Sequence, residues 1–128
     1  MNDVTAHRRK LARHYFKTLG KDFEKQTGAQ LPPAEFESTN WHLFQIVLPD
    51  RITRADFMAK MKEHNIGVGF HYAPIHLFKL YRDRGFKEGM FPVAERVGKQ
   101  IVSLPMFYAM SEADVERVCA AMREVLKG

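Results

Sequence analysis

The segment Gly67–His76 brings together the side chains of this chain that are best suited to binding a ligand. His71, Tyr72 and His76 fall within six consecutive positions, and imidazole rings and a phenol hydroxyl can donate and accept hydrogen bonds. Glycine opens backbone conformations closed to other residues, while Pro74 fixes its own φ and favours an extended residue before it. The segment therefore predicts a strand that turns into a shaped loop, and loops on a rigid scaffold often carry binding residues.

Three chemical roles are open to the two histidines of this loop. They are metal ligands together with His42, packed and hydrogen-bonded structural groups, or contacts to the hydroxyl or phosphate oxygens of a ligand. The interval between His71 and His76 spans a proline, and no cysteine or carboxylate completes a ligand set nearby. Structural zinc sites use tighter pairs, so the sequence predicts no metal site. Spacing alone leaves the structural and ligand-binding roles open.

A basic stretch follows the loop. Lys79, Arg82 and Arg84 lie within six residues, and a guanidinium group can bind two phosphate oxygens at once. The same stretch is also compatible with a plain basic surface turn. We take Arg82 forward as a candidate phosphate contact.

The composition is that of one globular domain with its own core, because the 128 residues are 45% hydrophobic and 27% charged. The apolar runs are far too short to span a bilayer. Met1–Thr5 contains Asp3, and no apolar segment follows the basic run Arg8–Lys10, so no signal peptide is expected. The single cysteine, Cys119, excludes an internal disulfide. We expect it to be a buried thiol in a cytoplasmic protein.

The formal net charge is +5 at pH 7, and basic side chains are concentrated between His7 and Lys17. Such a run is typical of a solvated helix face. Nucleic-acid binding is the sharper alternative, since basic clusters contact phosphates. The run lacks interleaved exposed aromatic residues and no recognition helix follows it. The sequence therefore disfavours nucleic acid as a partner, and attraction of an anionic substrate or a partner subunit is a third alternative.

The periodicity of apolar residues and the turn signals divide the chain into helices and strands. The predicted helices cover residues 4–19, 53–65, 76–84, 92–99 and 111 to the end, the predicted strands cover 41–48, 68–72 and 101–104, and residues 21–40 form an extended connector. Thr53 and Ser111 are the predicted N-caps of two helices, and Pro92 suits the first position of another. This order predicts an α+β fold, with a small antiparallel sheet of about three strands and helices packed on one face.

Several short motifs, taken in order, resemble one protein family. They are His42-Leu43-Phe44 at the start of a strand, Ile66-Gly67-Val68 before the loop, His71-Tyr72-Ala73-Pro74-Ile75-His76 within it, Ser103-Leu104-Pro105-Met106-Phe107 after the last strand, and Met110-Ser111-Glu112-Ala113-Asp114 at the start of the last helix. With them, Trp41–Leu126 resembles the C-terminal small domain of the DegT/DnrJ/EryC1/StrS family, the pyridoxal-phosphate-dependent sugar aminotransferases. The helix around Arg8–Ala12 resembles the linker helix that precedes that domain.

The resemblance implies a linker helix and extended connector over residues 1–40, and the small domain of a fold-type I aminotransferase over residues 41–128. In the family, the lysine that forms the Schiff base with pyridoxal phosphate lies in a large N-terminal domain, and no lysine of this chain is in a similar setting. The resemblance therefore implies no catalytic residue and no cofactor bound to this chain alone. It implies substrate contacts from the following residues of the loop and the stretch after it: His71, Tyr72, His76 and Arg82.

These implications give a functional hypothesis. In the family, the cofactor takes an amino group from an amino acid, usually glutamate, and delivers it to a keto group on a nucleotide-linked sugar used in polysaccharide biosynthesis. The chain is then the substrate-side domain of such an enzyme, in truncated form and inactive alone. Its expected partners are a nucleotide sugar and a second subunit, as a homodimer or as a pair with a large aminotransferase domain. The alternative is a stand-alone sugar-nucleotide-binding or protein-interaction module without catalysis.

Overall fold

The computed structural model describes residues 2–127 and shows an α+β fold. Within those residues the elements are helices α1 (Asn2–Leu19), α2 (Phe23–Thr27), α3 (Arg54–Glu63), α4 (Lys79–Arg82), α5 (Pro92–Gln100) and α6 (Glu112–Leu126), a 3₁₀ turn at Ile75–Leu77, and strands β1 (Phe44–Val47) and β2 (Ile101–Leu104). The predicted fold class is confirmed.

The sheet has two strands among the described residues, fewer than predicted. Strands β1 and β2 pair antiparallel, with Phe44 opposite Leu104 and Val47 opposite Ile101. The predicted strand over 68–72 is reduced to a single bridge, in which Gly69 and Ser103 exchange backbone hydrogen bonds of 2.8 and 3.1 Å. The chain then turns away from the sheet into residues 70–76, which we call the histidine loop. The ladder therefore does not extend further.

The connector predicted over 21–40 contains a short helix, α2, that the sequence analysis missed. Phe23 is fully buried, and the Thr27 hydroxyl donates to the Phe23 carbonyl at 2.7 Å. Gly28 ends the helix in the left-handed region, with φ of 71°, which glycine adopts without steric cost. Gln30 then pairs with Val47 through backbone hydrogen bonds of 2.9 and 3.0 Å. The connector is therefore tied to the edge of β1.

The core lies between α1, the sheet and α6. Tyr15 is fully buried, stacks on Phe44 with ring centroids 4.5 Å apart, and donates its hydroxyl to the Pro105 carbonyl at 2.8 Å. Burial raises the pKa of Tyr15 well above its usual range.

Cys119 is buried in the same core, as predicted, and burial raises the pKa of its thiol to about 12. A thiol of this kind is a packing group and not a nucleophile. The division at residue 40 stays a prediction, although α1 contributes to this shared core.

The predicted capping box of α6 is confirmed. The Ser111 hydroxyl accepts from the Asp114 backbone N–H at 3.2 Å, and the Asp114 carboxylate accepts from the Ser111 backbone N–H at 2.8 Å. Pro92 is the first residue of α5, and Thr53 caps α3 through the Asp56 N–H. The helix predicted over 76–84 is interrupted at Phe78, whose ψ of 149° is extended, so the 3₁₀ turn and α4 replace it.

None of the helices found in residues 2–127 has the length and apolar character that crossing a membrane requires.

The capping box gives a pH-dependent prediction for stability. Hydrogen bonds from the Ser111 hydroxyl, and then from its backbone N–H, hold the pKa of the Asp114 carboxyl below its usual range. A carboxylate whose pKa is lower in the folded state stabilises fully above the unfolded pKa of about 3.9, and this stabilisation is lost as pH falls through the folded value. Asp114→Asn should therefore be less stable than wild type at neutral pH, by a difference that shrinks below about pH 3.9.

Urea unfolding at a series of pH values measures this difference. Asp22→Asn is the matched control, because Asp22 makes no capping hydrogen bond to α2. Its difference from wild type should not follow the same pH course. A difference for Asp114→Asn that is constant into the acid range would contradict the assignment.

Candidate functional site

The histidine loop, the turn after α4 and the helix α5 enclose a cleft of about 560 Å³. It is lined by His71, Tyr72, Ala73, Pro74, Ile75, His76, Tyr81, Phe86, Phe91, Ala94, Val97, Gly98 and Ile101. Its walls are mostly apolar, and polar groups come chiefly from the loop. Within residues 2–127 no lysine lines this cleft. A largely apolar cleft with a few placed polar groups is the usual form of a small-molecule site.

His71 is held at the base of the cleft by two residues of the sheet. Its Nδ1 lies 2.8 Å from the Ser103 hydroxyl, and its backbone carbonyl accepts from the Gln45 side-chain amide at 2.5 Å. Gln45 and Ser103 face each other across the β1–β2 ladder. The peptide bond between His71 and Tyr72 is cis. The sheet therefore positions both the ring and the backbone of His71.

Tyr72 and His76 occupy opposite environments within the same loop. Tyr72 is 70% exposed, and its ring meets that of His71 edge-on at 5.0 Å. His76 is only 8% exposed, and its Nε2 lies 2.9 Å from the Glu95 carboxylate. The Tyr72 hydroxyl is available to a ligand, whereas one nitrogen of His76 is already engaged.

Glu95 ties three parts of the cleft together from α5. Its carboxylate bonds His76 and accepts from the backbone N–H groups of Gly89 at 2.9 Å and Phe91 at 3.2 Å. Burial raises the pKa of this carboxyl, but the hydrogen bonds from His76 and the two N–H groups outweigh burial, so the pKa lies below its usual value. The ionised carboxylate thus clamps the loop and the turn around residues 89–91 onto α5.

Gly98 allows α5 to approach the loop closely. A Cβ placed on Gly98 would lie 2.6 Å from two carbons of the Pro74 ring and 3.3 Å from its backbone nitrogen. Next to this contact, Arg54 donates to the Gly98 carbonyl at 2.6 Å, and its guanidinium lies 4.0 Å from the centre of the Phe70 ring. The position of the loop on α5 therefore depends on the absence of a side chain at residue 98.

The structure brings His71, Tyr72 and His76 to one cleft and leaves Arg82 beyond its lining residues. Arg82 is exposed at the C-terminal end of α4. Its neighbour Lys79 pairs with Asp83 at 2.7 Å, and within residues 2–127 Arg82 makes no ion pair. Arg82 is therefore a solvent-exposed residue outside the lining of the cleft.

Four supporting residues were missed by the sequence analysis: Gln45, Glu95, Gly98 and Ser103. Glu95 looks like an ordinary surface residue of a helix, and Gln45 interrupts an apolar strand without any motif. Ser103 stood in a family motif without an assigned role, and Gly98 lies inside a predicted helix, where a glycine often marks a close packing contact. Within the described part of the chain, no three His, Cys, Asp or Glu side chains are grouped so that they could hold a metal ion.

The contact between Gly98 and Pro74 predicts the effect of one methyl group. In an ordinary helix interior, Gly→Ala stabilises by about 1 kcal/mol. At residue 98 we expect Gly→Ala to lower the free energy of unfolding by about 1–3 kcal/mol instead, because a proline ring cannot rotate away from the added Cβ. Urea unfolding measures the loss, and backbone NMR shifts over residues 70–78 should show the displaced loop.

Gly67→Ala is the control for this prediction, because no heavy atom lies within 4 Å of a Cβ at residue 67. It should leave both the stability and the loop shifts near those of wild type. A Gly98→Ala protein as stable as wild type would show that the close approach is not needed.

The Glu95 clamp predicts a local change in hydrogen exchange. Glu95→Gln keeps the side-chain volume but replaces one accepting oxygen with an NH2 group. The N–H groups of Gly89 and Phe91 should then exchange faster, on the order of tenfold. Glu88→Gln, at an exposed residue paired with Lys99, should leave both rates unchanged. Equal rates in wild type and Glu95→Gln would contradict the clamp.

Comparison with known proteins shows what the chain is similar to. SpsC of Bacillus subtilis (strain 168), a spore coat polysaccharide biosynthesis protein, is 36% identical over 93 residues, which cover 69% of this chain and 24% of SpsC. The crystal structure of S. venezuelae DesV in complex with a ketimine intermediate aligns with a TM-score of 0.82 at 28% identity, over 96% of this chain and 32% of DesV. Spr1654 from Streptococcus pneumoniae, solved in its PLP-form, has the same fold, with a TM-score of 0.80 at 16% identity over 95% of this chain and 31% of its own.

The chain thus spans between 24% and 32% of the length of these relatives. The profile of the DegT/DnrJ/EryC1/StrS aminotransferase family matches residues 1–123, nearly the whole sequence. The order of motifs from His42 to Asp114 that suggested this family is therefore explained by common descent. The chain belongs to the DegT/DnrJ/EryC1/StrS aminotransferase family.

Proposed function

We propose that this chain forms the substrate-side part of a pyridoxal-phosphate-dependent sugar aminotransferase, which moves an amino group from glutamate to a nucleotide-linked keto sugar. The observation that carries the proposal is the cleft of about 560 Å³ at the histidine loop, with His71 and Tyr72 on its wall. Membership of the family and the likeness to SpsC, a polysaccharide biosynthesis protein, support the substrate class.

The residues of this chain do not fit pyridoxal phosphate by themselves. A Schiff base with this cofactor requires a lysine amine beside the ring, and no lysine within residues 2–127 lines the cleft. Three lysines are engaged in ion pairs elsewhere: Lys10 with Glu112 at 2.9 Å, Lys79 with Asp83 at 2.7 Å and Lys99 with Glu88 at 3.2 Å. We therefore propose that the chain alone binds no cofactor and does not transaminate.

The four candidate residues receive different roles in this proposal. The His71 ring and the exposed Tyr72 hydroxyl contact the sugar nucleotide at the cleft. Arg82, outside the lining, contacts a phosphate that extends from it, since a guanidinium binds phosphate oxygens in pairs. His76 also lines the cleft, but its Nε2 is engaged by Glu95, so its role is to hold the loop in place.

Exposed apolar side chains within and around the cleft support a protein partner. Large apolar side chains that are 43–70% exposed cluster between residues 70 and 93: Phe70, Tyr72, Ile75, Phe78, Leu80, Met90, Phe91 and Val93. Such a patch is typical of a surface covered by another protein. We propose that it pairs with a large aminotransferase domain or with a second copy of this chain. It also favours the second candidate function, a stand-alone sugar-nucleotide-binding or interaction module.

The first experiment is an aminotransferase assay on the purified chain with pyridoxal phosphate, glutamate and a nucleotide-linked keto sugar. We expect no amino sugar, because no lysine within residues 2–127 lines the cleft. Adding the large domain of a relative such as SpsC as a separate protein should restore turnover if pairing is the natural state. Turnover by the chain alone would contradict the proposed role.

The second arm is an NMR titration with UDP- and dTDP-sugars. Shifts should concentrate at His71, Tyr72 and Arg82, and Arg82→Gln should weaken binding about threefold to tenfold. His42→Gln, at an exposed histidine that does not line the cleft, should bind like wild type. No shifts at millimolar ligand would contradict ligand binding by the isolated chain.

A further inference from the structure

Three polar groups at the base of the cleft form one hydrogen-bonded chain. Gln45 on β1 lies opposite Ser103 on β2, and Ser103 contacts the ring of His71. The amide nitrogen of Gln45 is 2.5 Å from the His71 carbonyl oxygen and 3.4 Å from the Ser103 hydroxyl. The donors and acceptors in this hydrogen-bonded network can be assigned in order, starting from the one group that can only accept.

The His71 carbonyl is that group, because a carbonyl oxygen can only accept. The end of the Gln45 side chain that faces it at 2.5 Å must therefore be the NH2 group. An NH2 group donates both of its hydrogens, so its contact with Ser103 is also a donation. The Ser103 oxygen accepts from Gln45, and its own proton must be used elsewhere.

Ser103 is only 5% exposed, so water is a poor acceptor for this proton. Among the described residues, the one remaining hydrogen-bond partner of the Ser103 oxygen is His71 Nδ1 at 2.8 Å. A buried hydroxyl that donates to nothing loses its hydration without compensation. The hydroxyl therefore donates to Nδ1, and a nitrogen that accepts a hydrogen bond carries no proton.

We propose that Ser103 and Gln45 are positioning residues that fix neutral His71 in the tautomer with its proton on Nε2. Resting on the proposed function, this makes His71 a hydrogen-bond donor to the substrate. The substrate atom that contacts Nε2 must then be a hydrogen-bond acceptor, such as a phosphate oxygen of the sugar nucleotide. It also follows that neutral His71 cannot accept a proton from the substrate through Nε2.

The tautomer is measured directly by long-range ¹H–¹⁵N NMR on the chain without ligand. At about pH 8, where an unperturbed imidazole is neutral, the two ring nitrogens of His71 should show a protonated Nε2 and a bare Nδ1. The signals are assigned by their loss in His71→Gln. Exposed His42 provides, in the same spectrum, the tautomer mixture of a histidine in water. A proton on Nδ1 of His71, or a mixture like that of His42, would overturn the proposal.

Two variants test whether the network sets the tautomer. In Gln45→Leu, which removes the NH2 donor, the Ser103 oxygen no longer accepts from residue 45 and can accept from His71, so the ring should become a mixture of the two tautomers. In Ser103→Ala, which removes only the hydroxyl, the ring should relax to the mixture shown by His42. Ser38→Ala, at an exposed serine, should leave His71 unchanged. Unchanged ring nitrogens in both Gln45→Leu and Ser103→Ala would contradict the role of the network.

Titration with UDP-glucose separates this inference from the proposed function. If both hold, UDP-glucose shifts the Nε2–H signal, and Ser103→Ala weakens binding about threefold to tenfold. If the ligand leaves Nε2–H unmoved while the tautomer is as proposed, the network stands and the ligand assignment fails. If UDP-glucose binds wild type and Ser103→Ala equally, the positioning role fails and the proposed function is retained.

Discussion

The antiparallel pairing of β1 with β2 is the constraint on which the rest of this molecule depends. Two strands of four residues each are not stable alone in water, so the ladder requires helices over its apolar face. Phe44 and Ile46 face that core and are fully buried, while Gln45 points to the other side with Ser103 opposite. A shift of one residue in this register would exchange the two faces. Core packing and the placement of the histidine loop are thus fixed by the same few hydrogen bonds.

Most of the helical framework could be predicted because its signals are local. Thr53, Pro92 and Ser111 begin helices for reasons contained within one turn of the chain. The errors arise where distant contacts decide the backbone. The strand over 68–72 failed because its β propensity depends on a ladder partner, and beyond Gly69 the partner is the Gln45 side chain. Helix α2 was missed because five residues give too little periodicity to detect.

The three loop residues predicted as ligand contacts line one cleft, but the groups that support them were not predicted. His71, Tyr72 and His76 are recognisable because two imidazoles and a phenol crowd around a proline. Glu95 has an unremarkable helical sequence around it, and only the fold turns its carboxylate inward onto His76. Local sequence can indicate which side chains are suited to contact a ligand. It cannot indicate which charged residue is folded behind them, because that depends on how two elements far apart in sequence are packed.

The packing of α1 on α6 has a consequence for how the chain folds. His7 bonds the Met110 carbonyl at 3.0 Å across 103 positions, and Arg123 donates to the Leu19 carbonyl at 2.5 Å across 104 positions. Helix α1 therefore completes its packing only when α6, more than 100 positions away, is in place. Such non-local closure raises contact order and slows folding. Folding must bring these two distant helices together before this part of the core is complete.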